Sequence, residues 1–229
     1  MKRTSTPEYL GTGGGFTHEE VEASLADLRM FNRWFGGTRV ARKLMRHIAR
    51  KTGSHSLSWL DVAGASGDIA MSLTRSFDHD GIKLQTVLLD RALDHLPGSL
   101  VAVQGDALAL PFADDSFDVV GTCLLVHDLE PAEVHKFMRE ALRVARVAVL
   151  INELRRSWMH LGLVYAGMPL YSRITRHDAP ASVKKAYTIR EMREMIGDAQ
   201  PVEIHKFYLC RMGIIVWKRD AATPGKGLR

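Results

Sequence analysis

Apolar residues near the start of the chain recur at the spacing of a helix face. Thr17 followed by Glu20 is a capping-box pattern, which predicts a helix that continues to about Asp27. The apolar residues between Phe31 and Lys51 have the same helical spacing and predict a second helix. We expect these two helices, over residues 17–52, to form a cap over a site.

Downstream of the cap, short apolar runs alternate with helical patterns. The runs that predict strands are Leu57–Val62, Lys83–Leu89, Leu100–Gln104, Phe117–Leu125 and Val147–Asn152. The helices predicted in this part of the chain are Asp68–Arg75, Pro131–Val144 and, further on, Ile189–Gly197. An alternation of strands and helices predicts a mostly parallel, doubly wound α/β sheet.

The end of the chain breaks this alternation. Two strand-like runs, Val202–Leu209 and Met212–Lys218, are separated only by Cys210 and Arg211. Because so short a link permits a hairpin but no crossover helix, these two strands must be antiparallel. We therefore predict one domain over residues 1–229, with three segments outside the sheet: a flexible stretch at 1–16, the cap helices at 17–52 and a substrate-side insertion at 154–185.

Composition and charge exclude several classes of protein. With 46% hydrophobic and 25% charged residues, the chain has the balance of an ordinary globular protein. Its two cysteines form no CxxC pair, which argues against a disulfide framework and against a zinc site, so no metal is expected. The N-terminus lacks the apolar stretch of a signal peptide, and Leu161–Leu170 is about half as long as a membrane span.

The net charge of +5 is spread along the chain, which is typical of a solvated surface rather than a nucleic-acid site. We expect a cytoplasmic protein, monomeric or homodimeric, with no nucleic-acid partner and no membrane span.

The turn after the first predicted strand has the features of a ligand site. Asp61 lies near the end of that strand, and the chain then turns through small residues that include Gly64 and Gly67. Glycine lets a ligand approach the backbone closely, and the N–H groups at the start of the next helix then face the ligand. A tight turn with no ligand remains the alternative interpretation.

Carboxylates also end the next two strands. Asp90 follows the second strand, where it can accept hydrogen bonds from ribose hydroxyls, and Asp106 follows the third, where it can take an adenine amino group. The series over residues 57–155 resembles the class I S-adenosylmethionine-dependent methyltransferase family. It is most similar to the branch of the ubiquinone/menaquinone biosynthesis methyltransferases.

The resemblance implies a Rossmann-like sheet of seven strands that ends in an antiparallel hairpin, and S-adenosyl-L-methionine as cofactor. Two departures stand out: Ala63 replaces a frequent glycine, and Arg143–Arg146 replaces a Lys-Pro-Gly-Gly turn. A dinucleotide or phosphate-loop site is not expected, because neither glycine motif is present. The residues to which the resemblance assigns cofactor binding are Asp61, Ala63, Gly64, Ala65, Gly67, Asp90, Arg91, Gly105, Asp106, Ala107 and Leu124.

Candidates for the chemistry follow the fourth and fifth strands. His127 lies beside the position where the family places the transferable methyl group, and it is either a base for a phenolic proton or a packing residue bonded to the backbone. The residues predicted to bind the substrate are Asn152, Tyr171, Arg176 and His177. Arg176 and His177 are equally consistent with a salt-bridged corner.

These patterns predict an enzyme that methylates oxygen or carbon of a small aromatic, polyketide-like or quinol-like metabolite. The alternatives are an RNA methyltransferase, which the basic charge favours, and a non-catalytic scaffold that keeps the cofactor fold.

Overall fold

A seven-stranded sheet forms the centre of the computed structural model, which describes residues 1–12, 15–92, 100–207 and 210–219. The strands lie in the order β3-β2-β1-β4-β5-β7-β6. The pairings are parallel except for those of β7, which runs antiparallel to β5 and to β6. Their bounds are β1 Ser56–Val62, β2 Lys83–Asp90, β3 Val101–Gln104, β4 Phe117–Cys123, β5 Ala145–Leu154, β6 Val202–Phe207 and β7 Arg211–Trp217.

Helices cover both faces of the sheet. One face packs against α3 and α4 around Trp59, and the other against α5 and α8 around Phe137; both aromatic side chains are fully buried. The helices are α1 Tyr9–Thr12, α2 His18–Trp34, α3 Gly37–Thr52, α4 Asp68–His79, α5 Pro131–Val144, α6 Trp158–Gly167, α7 Arg173–Lys185 and α8 Ile189–Ile196. This arrangement confirms the predicted doubly wound α/β fold and its terminal hairpin. The last two residues of the predicted strand 202–209, Tyr208 and Leu209, lie outside the described residues.

The cap helices are present, but the boundary between them differs from the prediction. Both hydrogen bonds of the predicted capping box form between Thr17 and Glu20, and α2 then continues to Trp34 rather than to Asp27. The break comes at Gly36, whose φ of 88° is left-handed, so the second helix begins at Gly37 instead of Phe31.

The insertion at 154–185 contains α6 and α7, and α7 packs against α2. The N-terminal segment lies against this layer, although the sequence predicts flexibility over 1–16. Arg3 donates hydrogen bonds to the carbonyl oxygens of Leu129 and Lys185, and the amides of Tyr9 and Leu10 donate to Asp178. Gly13 and Gly14, within the same predicted segment, lie outside the described residues.

Among the described residues, none of the helices combines the length and the apolar character that crossing a bilayer requires.

Candidate active site

A cavity of about 650 Å³ lies at the carboxyl ends of the parallel strands. Its floor is the edge of the sheet, and its walls come from the N-terminal segment, α2, α6 and α7. Ligands of doubly wound proteins bind at this edge, because the loops that follow the parallel strands open there. The volume is within the range of about 300–1,000 Å³ that is usual for small-molecule sites.

The turn between β1 and α4 forms one end of the cavity. Ala63, Ala65 and Gly67 have φ values of 57°, 45° and 65°, so two alanines adopt a conformation that costs energy in residues other than glycine. A Cβ on Gly64 would collide with the buried Leu88 side chain and lie 3.2 Å from Oδ2 of Asp61. Gly64 is therefore required by a close approach.

Asp61 is buried at the base of this turn. Its Oδ1 has no hydrogen-bond partner among the described residues. Burial raises the pKa of Asp61 well above its usual range, and the nearby carboxylates of Asp68 and Asp90 raise it further. A buried carboxyl group with a free oxygen suits a ligand that brings a positive charge or a hydrogen-bond donor.

The carboxylates after β2 and β3 line the same cavity. Asp90 accepts hydrogen bonds from the amide of Ala65, at 3.0 Å, and from that of Ala92, at 3.2 Å. Asp106 accepts from the amide of Leu108 and from Arg91. The Leu108 amide is the main cause that holds the pKa of Asp106 below its usual value, with Arg91 adding to it.

Most of the predicted cofactor residues are therefore brought together. Gly67 is the exception, since it does not line the cavity. Its amide donates to the carbonyl oxygen of Gly64, and this hydrogen bond stabilises the turn. The predicted residues that do line the cavity are Asp61, Ala63, Gly64, Ala65, Asp90, Arg91, Gly105, Asp106, Ala107, Leu124, His127 and Tyr171.

His127 is buried on the floor of the cavity and is held from two sides by Glu153 of β5. One carboxylate oxygen lies 2.9 Å from Nδ1, and the other accepts the backbone amide of His127 at 3.1 Å. On the opposite side, Nε2 lies 3.5 Å from the carboxylate of Glu8. Burial lowers the pKa of His127, but Glu153 and Glu8 outweigh it and raise the pKa well above 6.5.

Glu8 and Lys185 extend this pair into a network of alternating charge. Nζ of Lys185 lies 2.8 Å from Glu8 and also contacts Asp128. Burial raises the pKa of Glu8, yet His127 and Lys185 outweigh it and lower the pKa to about 2. Oxygens and nitrogen of Glu8, His127 and Asp128 are close enough to share a cation, but Lys185 already supplies the positive charge between the two carboxylates.

Three of the residues predicted to bind substrate do not face the cavity. Asn152 is fully buried and donates to the carbonyl oxygen of Gly37, because alternation along β5 turns its side chain toward α3. Arg176 donates to the carbonyl oxygen of Tyr171, and His177 stacks on Tyr9 beside Asp178. The structure thus gives His177 the ion pair of the salt-bridged interpretation, holds Arg176 by carbonyl oxygens instead, and places none of the three in the cavity wall.

Other residues in the cavity were not predicted. Glu8 falls in the segment expected to be flexible. Lys185 is the last residue of the insertion 154–185, for which the sequence analysis predicts no helix. Arg211 reads as part of the hairpin link, and Asn32 as an ordinary helix residue. Each lies far along the chain from its partners, so no local pattern indicates it.

Comparisons with known proteins agree with this geometry. Residues 60–150 match the model of a family described as a methyltransferase domain. The fold resembles a methyltransferase from Aquifex aeolicus (TM-score 0.54, 15% identity, 76% of this chain and 87% of that one). It also resembles human N-acetylserotonin methyltransferase, solved with its cofactor (TM-score 0.61, 12% identity, 93% and 63%).

The strand order, the turn after β1 and the match over residues 60–150 are together those of the class I S-adenosylmethionine-dependent methyltransferase fold. Among curated proteins, the chain is 32% identical over 148 residues to the ubiquinone/menaquinone biosynthesis C-methyltransferase of Azotobacter vinelandii. The aligned region is 57% of this chain and 58% of that protein. It is 36% identical over 99 residues to the demethylmenaquinone methyltransferase of a Roseiflexus species, 40% of each. The chain thus spans less than two thirds of these relatives.

The residues of the turn fit the cofactor of this class. S-adenosylmethionine carries a positively charged sulfonium and an ammonium group, and the free Oδ1 of buried Asp61 offers a partner to a cation. A Cβ at Gly64 would collide with Leu88, so glycine lets this turn, whose backbone lines the cavity, pack closely on β2. Asp90 and Asp106 present carboxylates at the ends of β2 and β3, where hydroxyl and amino groups of an adenosine are recognised.

Proposed function

We propose that the protein transfers a methyl group from S-adenosylmethionine to oxygen or carbon of a small apolar acceptor that carries a hydroxyl group, such as a phenol or quinol. The observation that carries this proposal is the single cavity, which joins the turn after β1 to an apolar chamber with the His127–Glu153 pair at its floor.

The chain's own residues divide the binding between them. Asp90 would hold the ribose hydroxyls and Asp106 the adenine, while the backbone of the turn at Gly64 lines the cavity beside them. When bound, the cofactor supplies a methyl group already activated by the sulfonium. The protein's remaining task is to orient the acceptor and to handle its proton, since positioning provides much of the rate in such a transfer.

The acceptor chamber is apolar and enclosed by helices. Leu28 and Phe31 from α2, Val164 from α6 and Tyr171 line it, and the rings of Phe31 and Tyr171 meet edge-to-face at 5.2 Å. Aromatic and aliphatic walls favour a planar apolar molecule. The quinone-related names of the curated relatives support a small acceptor of this kind.

His127 would manage the proton of the acceptor. Glu153 and Glu8 raise its pKa and so favour the protonated ring, whose Nε2 faces the Glu8 carboxylate at 3.5 Å. It acts as a base only in the fraction of molecules in which the ring is neutral, and that fraction grows as pH rises through the raised pKa. Transfer to a phenol should therefore accelerate as the pH rises above 6.5 and through the raised pKa of His127.

The test is transfer of a radiolabelled methyl group to phenols, quinols and total RNA as a function of pH. We expect labelling of phenols or quinols, and a loss of about two to four decades in His127→Gln that shrinks for acceptors already ionised. His135→Gln, which changes an exposed histidine of α5, is the matched control and should retain normal turnover. Labelling of RNA alone would show the alternative substrate class, and an unimpaired His127→Gln enzyme would leave His127 a packing role.

A further inference from the structure

Arg211, the first residue of β7, is a buried cation that lines the cavity. Its Nε donates to the carbonyl oxygen of Phe35 at 3.1 Å, and its Nη2 lies 3.5 Å from Oδ1 of Asn32. Its Nη1 has no partner among the described residues, although the side chain is only 3% exposed. An arginine remains charged even where burial lowers its pKa, as it does here.

No carboxylate of the described chain forms an ion pair with this guanidinium. Buried charges are ordinarily paired, because an unpaired one loses its hydration without compensation. The partners that Arg211 does have are a carbonyl and an amide oxygen, both neutral. Asn32 is held in place, since its Nδ2 donates to Asp68 and a Cβ on Gly37 would collide with it. The guanidinium is therefore held in place with one of its nitrogens, Nη1, left without a partner among the described residues.

A second unpartnered group of opposite sign lines the same cavity. Asp61 leaves Oδ1 free at the end of β1, and Arg211 leaves Nη1 free at the start of β7. One ligand can thus meet both groups, and an α-amino acid has the matching ammonium and carboxylate.

We propose that Arg211 binds a carboxylate inside the cavity and that, with Asp61, it recognises the amino-acid end of S-adenosylmethionine. This inference rests on the proposed function for the identity of the ligand. An acceptor molecule that carries a carboxylate is the other source of the same chemistry, and the experiment separates the two.

The experiment measures binding by calorimetry rather than turnover. The first pair of ligands is S-adenosylhomocysteine and its decarboxylated form, which differs only in lacking the carboxylate. Arg211→Met should weaken the first by roughly 10- to 100-fold, as expected for charge-assisted hydrogen bonds, and leave the second within about twofold. Arg211→Lys keeps the charge and should recover part of the loss, so a folding defect in the Met variant does not decide the result.

The second arm uses 4-hydroxybenzoate with protein already loaded with S-adenosylhomocysteine. Unchanged affinity for S-adenosylhomocysteine, with loss of 4-hydroxybenzoate binding in Arg211→Met, would assign the carboxylate to the acceptor. The control is Arg156→Met: Arg156 is also buried, but Ala186 and Glu191 pair with it, away from this cavity.

Two outcomes overturn the inference about Arg211 while the proposed function stands. In one, the wild type binds S-adenosylhomocysteine and Arg211→Met binds every carboxylate ligand equally well. In the other, the variant loses S-adenosylhomocysteine and its decarboxylated form to the same extent. A wild-type protein that binds neither S-adenosylhomocysteine nor 4-hydroxybenzoate would contradict both proposals.

Discussion

Replacing Glu153 by Gln removes one charge from the buried pair with His127 and changes little in volume. The Glu153 carboxylate is fully buried and accepts three hydrogen bonds, two from His127 and one from the amide of Leu154. A glutamine can accept with its oxygen, but its NH₂ group then faces a donor. The imidazolium keeps two more distant carboxylates, Glu8 at 3.5 Å and Asp128 at 3.9 Å from Nε2.

Removing one partner of a buried ion pair usually lowers the free energy of unfolding by about 3–5 kcal/mol. We expect the lower end, about 3 kcal/mol, because Glu8 still compensates part of the charge. The expected sign of the pH dependence is also fixed. Since the folded state raises the pKa of His127, the pair stabilises fully below the unfolded pKa of 6.5 and loses this contribution as pH rises through the folded pKa.

The assay is urea unfolding of wild type and Glu153→Gln at about pH 6 and about pH 9, followed by circular dichroism. The difference in unfolding free energy should be largest at the lower pH. Glu194→Gln, which changes an exposed glutamate paired with Arg190, is the control and should have little effect. A loss under about 1 kcal/mol at pH 6, or a loss that is the same at both pH values, would refute the assignment of a charged His127–Glu153 pair.

Two further predictions concern the cofactor end and the N-terminal segment. Asp90→Ala should weaken S-adenosylhomocysteine binding by roughly 10- to 100-fold, as measured by calorimetry. It should also lower the Tm in thermal unfolding, because the amides of Ala65 and Ala92 lose their acceptor. Asp90→Asn keeps an oxygen and should lower the Tm less. Since the pKa of Glu8 is lowered to about 2, its pairing stabilises above 4.5 and is lost as pH falls toward 2. The difference in Tm between wild type and Glu8→Gln should therefore close over that range, and a constant difference would contradict the pairing.

The order of strands and helices, and the location of the cofactor edge, were determined by the sequence. Hydrophobic periodicity is local, so the β-α-β alternation, the capping box at Thr17 and the link between β6 and β7 indicate their structures without knowledge of the rest. The carboxyl ends of parallel strands meet at one edge, so Asp61, Asp90 and Asp106 were predictable as neighbours once the sheet was.

The charge network and the orientation of side chains were decided only by the tertiary structure. Glu8 meets His127, and Arg211 meets Asn32, across more than a hundred residues of chain, and no periodicity encodes which distant charges are buried together. The same applies to His177. Its position in the insertion 154–185 suggested a contact with substrate, but nothing in the local sequence indicates that its ring stacks on Tyr9. A helix or strand pattern fixes which residues share a face, whereas the packing of one element on another fixes what that face meets. Whether His127 is charged depends on that packing, because its pKa is set by burial and by carboxylates from β5 and from the N-terminal segment.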